Sequence, residues 1–402
     1  MRVAIIGLGY VGLTIAVGAA SAGHEVVGFD VNSELVEQLN SGKSHIEGIS
    51  DSQLAGLLSS GTFVSNADPS VLDGSEVIVI AVPTPLDRDR NPDLSFVHAA
   101  ADLINQQVKS PALIINESTS YPGTLRKEIA ARITGVEHLF ASSPERVDPG
   151  NTQWGTKNTP RLIGGLTPAA VVKAREFYAS FCDSIIEVSS PEVAEAAKIF
   201  ENTFRQVNIA LVNEFAQISD ALGISSREVI EAAATKPYGF MPFNPGPGVG
   251  GHCIPVDPSY LAHVANQVGV PATFIKRANE VNLAMPAYVV KRVVAAVGGA
   301  IAGKSVIVVG VSYKANVADT RETPAAAVID LMREQGATVV WHDDLVGTWR
   351  GEKSTPLNDF DIAVVVTKHD GVTEAAIRLR SMYLIAPALL QVRTVFSTQR
   401  YR

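Results

Sequence analysis

Arg2-Val3-Ala4-Ile5-Ile6-Gly7-Leu8-Gly9-Tyr10-Val11-Gly12 is the stretch that decides the fold. The apolar run 3–6 reads as a strand covered on both faces, and Gly7, Gly9 and Gly12 follow at the spacing of a turn that opens a helix. An alanine-rich run to about Ala22 continues that helix, and Glu25–Phe29 reads as a second strand ending on Asp30. Glycines in such a turn let backbone approach a pyrophosphate, and an acid at the end of the second strand accepts the hydroxyls of an adenosine ribose. A carboxylate there repels a 2′-phosphate. The unit therefore predicts NAD rather than NADP, held by Gly7, Gly9, Tyr10, Val11, Gly12 and Asp30.

Outward from this unit, strand-like runs recur at 77–82, 113–116 and 139–142 with helical stretches between them, the alternation of a doubly wound parallel sheet. Ligands of such sheets bind beyond the carboxyl ends of the strands. Those ends carry Thr84, Thr119 and Glu145 as candidate site residues. Each of the three serves equally well as a turn or cap residue.

Ser190-Pro191 reads as a helix start, and the pattern stays helical to Gly223. At 1.5 Å per residue that helix is roughly 45 Å long, which suits a bridge between domains or a subunit interface. Lys198, Asn202 and Arg205 share one face of it, either as a solvated stripe or as part of a site. Ala194, Ala197, Ile199 and Phe200 around them predict that the segment is covered.

The run 244–258 places Gly246, Gly248, Gly250 and Gly251 ahead of Cys253 and Asp257, with prolines at 245, 247, 255 and 258. It predicts a stiff shaped loop rather than a helix, presenting either a nucleophilic thiol or a small buried cysteine. A second helical run covers about 271–297 and is expected to break at Pro286. Beyond Gly298-Gly299 a strand from Lys304, a helix at 323–335 and strands at 338–341, 362–366, 383–386 and 394–397 predict a second Rossmann-type unit. Gly310-Val311-Ser312-Tyr313-Lys314 replaces the glycine fingerprint there, so a second dinucleotide is not expected, although Lys314 and Arg321 could hold another phosphate ligand.

The fold class expected is α/β: two Rossmann-like doubly wound domains, 1–190 and 300–402, joined by a central helical domain, 191–299, with the long helix. At 402 residues, 46% hydrophobic and 18% charged, the chain suits a globular protein of two or three domains. A net charge of −8 without a compensating basic cluster opposes nucleic-acid binding. No apolar run is long enough to span a bilayer and the start reads directly as a strand, which predicts a cytoplasmic protein without membrane partners. Two cysteines, Cys182 and Cys253, exclude a disulfide framework. No metal is expected.

In the blocks 7–12, 82–85, 118–124, 143–147, 195–205, 244–258 and 310–324 the chain resembles the UDP-glucose/GDP-mannose 6-dehydrogenase family from end to end. The resemblance implies oxidation of the C6 hydroxymethyl of a nucleotide-linked hexose to a carboxylate with two NAD, through a cysteine thiohemiacetal and thioester. It implies Cys253 as nucleophile, Lys198 and Asn202 stabilising oxyanions, Asp257 working with a water, Glu145 assisting thioester hydrolysis, Thr119 as a further member of the catalytic set, and Thr119 and Thr84 beside the cofactor. Lys198 would also lower the thiol pKa. For substrate it implicates Arg146, Val147, Lys198, Asn202, Arg205, Gly250, Tyr313, Lys314 and Arg321. The form of the cysteine block and of 143–147 is similar to members acting on UDP-N-acetylmannosamine or UDP-N-acetylglucosamine. The family also implies a homodimer or larger homo-oligomer through the long helix, and a place in polysaccharide synthesis. UDP-glucose or another activated hexose is the alternative substrate. A two-electron hydroxyacid dehydrogenase would need no cysteine, and an NAD-binding regulator would need none of 198, 202, 253 and 257.

Overall fold

The runs Val77–Ile80 and Leu113–Asn116 are wholly buried, the pattern of central strands covered on both faces of a parallel sheet. The computed structural model describes residues 1–46, 48–147, 151, 153–251, 253–372, 384–386 and 391–393. It divides into two units, Met1–Glu201 with Ser259–Val270, and Asn202–Pro258 with Pro271–Arg402.

In the first unit β1 (Arg2–Ile6), β2 (Glu25–Phe29), β3 (Phe63–Asn66), β4 (Val77–Ile80), β5 (Leu113–Asn116), β6 (Leu139–Ser142), β7 (Arg161–Gly165) and β8 (Ile185–Glu187) form one sheet, ordered β3-β2-β1-β4-β5-β6-β7-β8. Neighbours are parallel except β6 and β7. The helices are α1 (Tyr10–Ser21), α2 (Ser33–Asn40), α3 (Asp51–Ser60), α4 (Ser95–Gln107) and α5 (Pro168–Ala179), with a π-helical turn at Leu125–Ala130. Val3, Ile5, Val79 and Ile115 of the sheet pack with Leu13 and Ile15 of α1 and Phe177 and Tyr178 of α5 in one buried cluster. Strand order reverses between β1 and β4, which opens a crevice at their carboxyl ends.

The helix α6 (Pro191–Leu222) runs for 32 residues and continues into the second unit. It is followed by α7 (Ser226–Ala234), α8 (Cys253–Gln267), α9 (Thr273–Ala296), β9 (Ser305–Val309), α10 (Pro324–Glu334), β10 (Thr338–His342), a hairpin of β11 (Thr348–Trp349) and β12 (Glu352–Lys353), then β13 (Ile362–Val365), β14 (Leu384–Ala386) and β15 (Gln391–Arg393). Among the described residues the second sheet is ordered β10-β9-β13-β14-β15, with β15 antiparallel to β14 and the other pairs parallel. Val306 and Val308 pack there with Val328, Ile329 and Met332 of α10 and Val289 and Val293 of α9.

The strand-to-turn corner is built the same way in both units. The Gly7 amide donates to the Phe29 carbonyl at 2.8 Å and the Gly310 amide to His342 at 2.7 Å. Asp30 Oδ2 accepts from the Leu8 amide and Asp343 Oδ2 from the Val311 amide, both at 2.8 Å. Asp343 is buried and also takes the Ser312 hydroxyl (3.0 Å) and His369 Nε2 (3.1 Å).

Two expectations are corrected. Helix α8 already begins at Cys253, so 253–258 are helical rather than loop. Pro255 falls in the first turn, where no intrahelical amide is needed, and only Pro258 removes an interior bond. Helix α9 runs unbroken through Pro286. Proline there deprives the Asn282 carbonyl of its usual donor, and that carbonyl faces Gly248, where a Cβ would stand 3.0 Å away. The expected strand at 394–397 lies outside the described residues.

Candidate active site

In the first unit the corner after β1 is closed to side chains at two positions. Gly7 has φ of 90°, and a Cβ on it would stand 2.5 Å from the Ala81 carbonyl; one on Gly12 would stand 1.8 Å from the Gly7 carbonyl. At Gly9, by contrast, nothing lies within 4 Å of the added Cβ. That open face, at the amino end of α1 where backbone amides lack helical partners, fits the pyrophosphate of a dinucleotide. Asp30 is oriented by the Leu8 amide and, on its other oxygen, by the Asn32 amide at 2.9 Å. Tyr10 and Val11 form the first turn of α1 and are half-buried.

Thr84 is buried and Thr119 half-buried. Ser118 Oγ donates to the Val82 carbonyl and accepts from the Val82 amide, both at 2.9 Å, and so ties the end of β4 to the end of β5. The loop beyond Thr119 is fastened to α6 by Glu195, a buried carboxylate whose two oxygens accept from the amides of Gly123 (2.7 Å) and Leu125 (2.9 Å). Burial pushes its carboxyl up to about 8, against the pull of those two amides. Lys198 follows one turn later and is buried.

Glu145 belongs to a buried charge cluster. Its Oε2 accepts from Arg161 Nη2 at 2.6 Å, and its Oε1 from the amides of Arg146 (2.7 Å) and Val147 (2.8 Å). Arg161 Nη1 also pairs with Glu117 at 2.9 Å, and Glu117 accepts from the Tyr178 hydroxyl. Arg161 Cζ lies 4.5 Å over the Tyr178 ring. Burial pushes the Glu117 carboxyl up to about 7. Burial alone would raise Glu145 too, but Arg161 and the two amides hold it below the ordinary carboxylate value. The Arg146 side chain is engaged by Glu201 (2.6 Å) and the Pro160 carbonyl (2.8 Å).

Removing Arg161 leaves two buried carboxyls without their shared cation. Arg161→Met is expected to destabilise the protein by about 3–5 kcal/mol. Both carboxyls then have folded pKa values raised above their unfolded ones, so the stability they contribute is present in acid and lost as pH rises. Urea unfolding at pH 5 and pH 8 should show the larger deficit at pH 8; an equal deficit at both would contradict the charge argument.

In the second unit the Asn202 side-chain amide donates to Asp257 Oδ2 at 2.5 Å, and both residues are buried. Asp257 lies one turn after Cys253 on α8. The glycine-rich segment is held by Asn213, whose Oδ1 accepts from the Gly246 amide at 2.8 Å while its Nδ2 donates to Asn282 at 2.9 Å. Gly250 and Gly251 press on Tyr313, with added Cβ atoms only 2.7 and 2.8 Å from it, and the Gly251 amide donates to the Arg321 carbonyl at 2.9 Å. Gly250, Tyr313 and Arg321 are thus brought together, with half-buried Lys314 next in sequence. The Arg321 guanidinium is exposed and paired with Asp319. The face expected to carry 198, 202 and 205 is divided: Arg205 is exposed, as is Phe200.

Residues 1–182, 192–284 and 307–398 match, in turn, the NAD binding domain, the central domain and the UDP binding domain described for the UDP-glucose/GDP-mannose dehydrogenase family. The chain belongs to the UDP-glucose/GDP-mannose dehydrogenase family. It is 36% identical over 379 residues to the UDP-N-acetyl-D-mannosamine dehydrogenase of Pyrococcus horikoshii, covering 92% of this chain and 90% of that one. It is 36% identical over 345 residues to the UDP-N-acetyl-D-glucosamine 6-dehydrogenase of Pseudomonas aeruginosa, covering 83% and 80%. The solved UDP-glucose dehydrogenase of Pyrobaculum islandicum superposes with a TM-score of 0.89 at 28% identity, covering 97% and 94%.

As a member of the UDP-glucose/GDP-mannose dehydrogenase family the chain is an NAD-dependent nucleotide-sugar dehydrogenase with a UDP-binding domain. Among the described residues no helix is long and apolar enough to cross a membrane. Glu117, Arg161, Glu195, Asn213 and Asn282 were not singled out from sequence. A charged residue directly at the end of an apolar strand, as at 117 and 161, was the available signal.

Proposed function

We propose that the chain oxidises C6 of UDP-N-acetylmannosamine or UDP-N-acetylglucosamine to the uronic acid, consuming one water and two NAD. Residues 1–190 serve the cofactor, 191–299 the chemistry and 300–402 the nucleotide. The observation that carries this reading is that Cys253 heads α8 while Asp257, one turn on, is buried and bound by Asn202 at 2.5 Å. A helix amino terminus favours a thiolate.

NAD, when bound by Gly7, Gly9, Tyr10, Val11, Gly12, Asp30, Thr84 and Thr119, accepts the hydride in each oxidation. Asp257, held by the Asn202 amide, works with a water to take the alcohol proton. Cys253 adds to the C6 aldehyde, and the adduct is a second alcohol-like donor whose oxidation gives a thioester. Lys198 stabilises the oxygen anions, and Glu145 helps a water hydrolyse the thioester. Arg146, Val147, Arg205, Gly250, Tyr313, Lys314 and Arg321 contact the sugar nucleotide. The product, an activated uronic acid, suits polysaccharide synthesis in the cytoplasm.

Along α6, Val193, Phe200, Phe204, Leu211, Ile218 and Leu222 are exposed at spacings of 7, 4, 7, 7 and 4, the seam of a helix pair. This stripe supports the reading of a homodimer through α6. The test of function is NADH formed per sugar at limiting UDP-N-acetylmannosamine, UDP-N-acetylglucosamine and UDP-glucose. About two for an N-acetyl sugar supports the reading; about two for UDP-glucose alone shifts the substrate, and a yield near one removes the thioester route.

A further inference from the structure

We propose that Glu117 is a positioning residue that sets the basicity of Glu145 by competing with it for the single guanidinium of Arg161. The inference rests on the reading of Glu145 as the base of thioester hydrolysis. In that step a water oxygen adds to the thioester carbonyl and gives one proton to Glu145; the C–S bond breaks, Cys253 leaves as thiolate, and the acid formed loses its second proton to solvent. A carboxylate gripped by Arg161 at 2.6 Å and by two backbone amides is a poor proton acceptor. Only a change in that grip makes it a better one.

The cluster contains such a change. Glu117 pairs with the other η nitrogen of the same guanidinium, at 2.9 Å, fully enclosed, with the Tyr178 hydroxyl on its other oxygen. Two carboxylates and one cation buried this deeply cannot all be charged at low cost. Glu145 is held by Arg161 and two amides, Glu117 by Arg161 and one hydroxyl, so below about pH 7 the proton of the pair resides on Glu117, whose carboxyl burial pushes up to about 7. When Glu117 ionises, Arg161 divides its charge and Glu145 gains basicity. The groups facing Glu117 are Arg161 on β7, Tyr178 on α5, Cys182 beyond α5 and Glu145 beyond β6.

The hydrolytic step can be read apart from the oxidations by rapid mixing of enzyme, NAD and UDP-N-acetylmannosamine, following the NADH burst and the acyl-enzyme by intact mass. In Glu117→Gln the burst should keep its rate, hydrolysis should slow by up to about tenfold, acyl-enzyme should accumulate, and the inflection of hydrolysis near pH 7 should vanish. Tyr178→Phe removes a donor that favours the Glu117 carboxylate and should move that inflection to higher pH. Glu145→Gln should block hydrolysis outright. If Glu145→Gln blocks it while Glu117→Gln leaves rate and inflection unchanged, the competition is refuted and the role of Glu145 stands. If Glu145→Gln hydrolyses normally, that role itself is wrong. A burst and a hydrolysis that slow together in Glu117→Gln reduce Glu117 to scaffolding, and an unmoved inflection in Tyr178→Phe overturns the proposal even if Glu117→Gln does not fold.

Discussion

Gly12→Ala is expected to abolish measurable NAD binding and to lower the melting temperature in the same variant. The added methyl would stand 1.8 Å from the Gly7 carbonyl and 3.3 Å from Ala81 Cβ. Neither neighbour is a flexible chain end, so α1 has to move away from the turn. Overpacking of this kind costs about 1–3 kcal/mol or more, and displacement of α1 carries its amino-terminal amides out of reach of a pyrophosphate. A hundredfold loss in affinity corresponds to about 2.8 kcal/mol, at the upper end of that range. Gly9→Ala is the control, because its methyl meets nothing within 4 Å. It should leave the melting temperature unchanged and still weaken NAD. Fluorescence titration with thermal unfolding separates the two. Equal melting losses at both positions, or tight NAD binding by Gly12→Ala, would refute the cradle.

Cys253→Ala is expected to remove four-electron turnover, with the steady-state rate falling by at least about a thousandfold. The first oxidation yields an aldehyde, and an aldehyde has no alcohol-like hydrogen to give until a nucleophile adds to it. The thiolate supplies that adduct and then a leaving group for hydrolysis. Alanine supplies neither, while the Asn202–Asp257 contact at 2.5 Å, one turn further along α8, is left in place. NAD affinity should therefore be preserved, which distinguishes loss of the nucleophile from unfolding. Persistence of about two NADH per sugar in this variant would move the covalent chemistry elsewhere.

The parts of the molecule legible in sequence are those dictated by local pattern. The glycine turn, Asp30, the strands at 77–80, 113–116 and 139–142, and the 32-residue α6 all announce themselves through periodicity and caps. Pro286 was expected to break α9 because a proline costs the helix a hydrogen bond. It is tolerated because the freed Asn282 carbonyl faces a residue with no side chain, Gly248, 34 positions earlier in the chain. Pro255 likewise looked like loop punctuation, although a helix can begin with proline in its first turn. Burial of Glu117 and Arg161 was illegible for a different reason. The charges that neutralise them come from β7 and from the loop beyond β6, and no spacing along the chain reports such a meeting.

The repeated corner has a bearing on how the protein lives with its own cofactor. A dinucleotide in excess searches every surface built to receive it, and this chain contains that surface twice in outline. In the second copy the acid that could welcome a ribose is already occupied by Ser312 and His369. The copy is a blind socket. NAD can be abundant without lodging where the other nucleotide must go, so cofactor and substrate need not be rivals at the UDP-binding end of the chain.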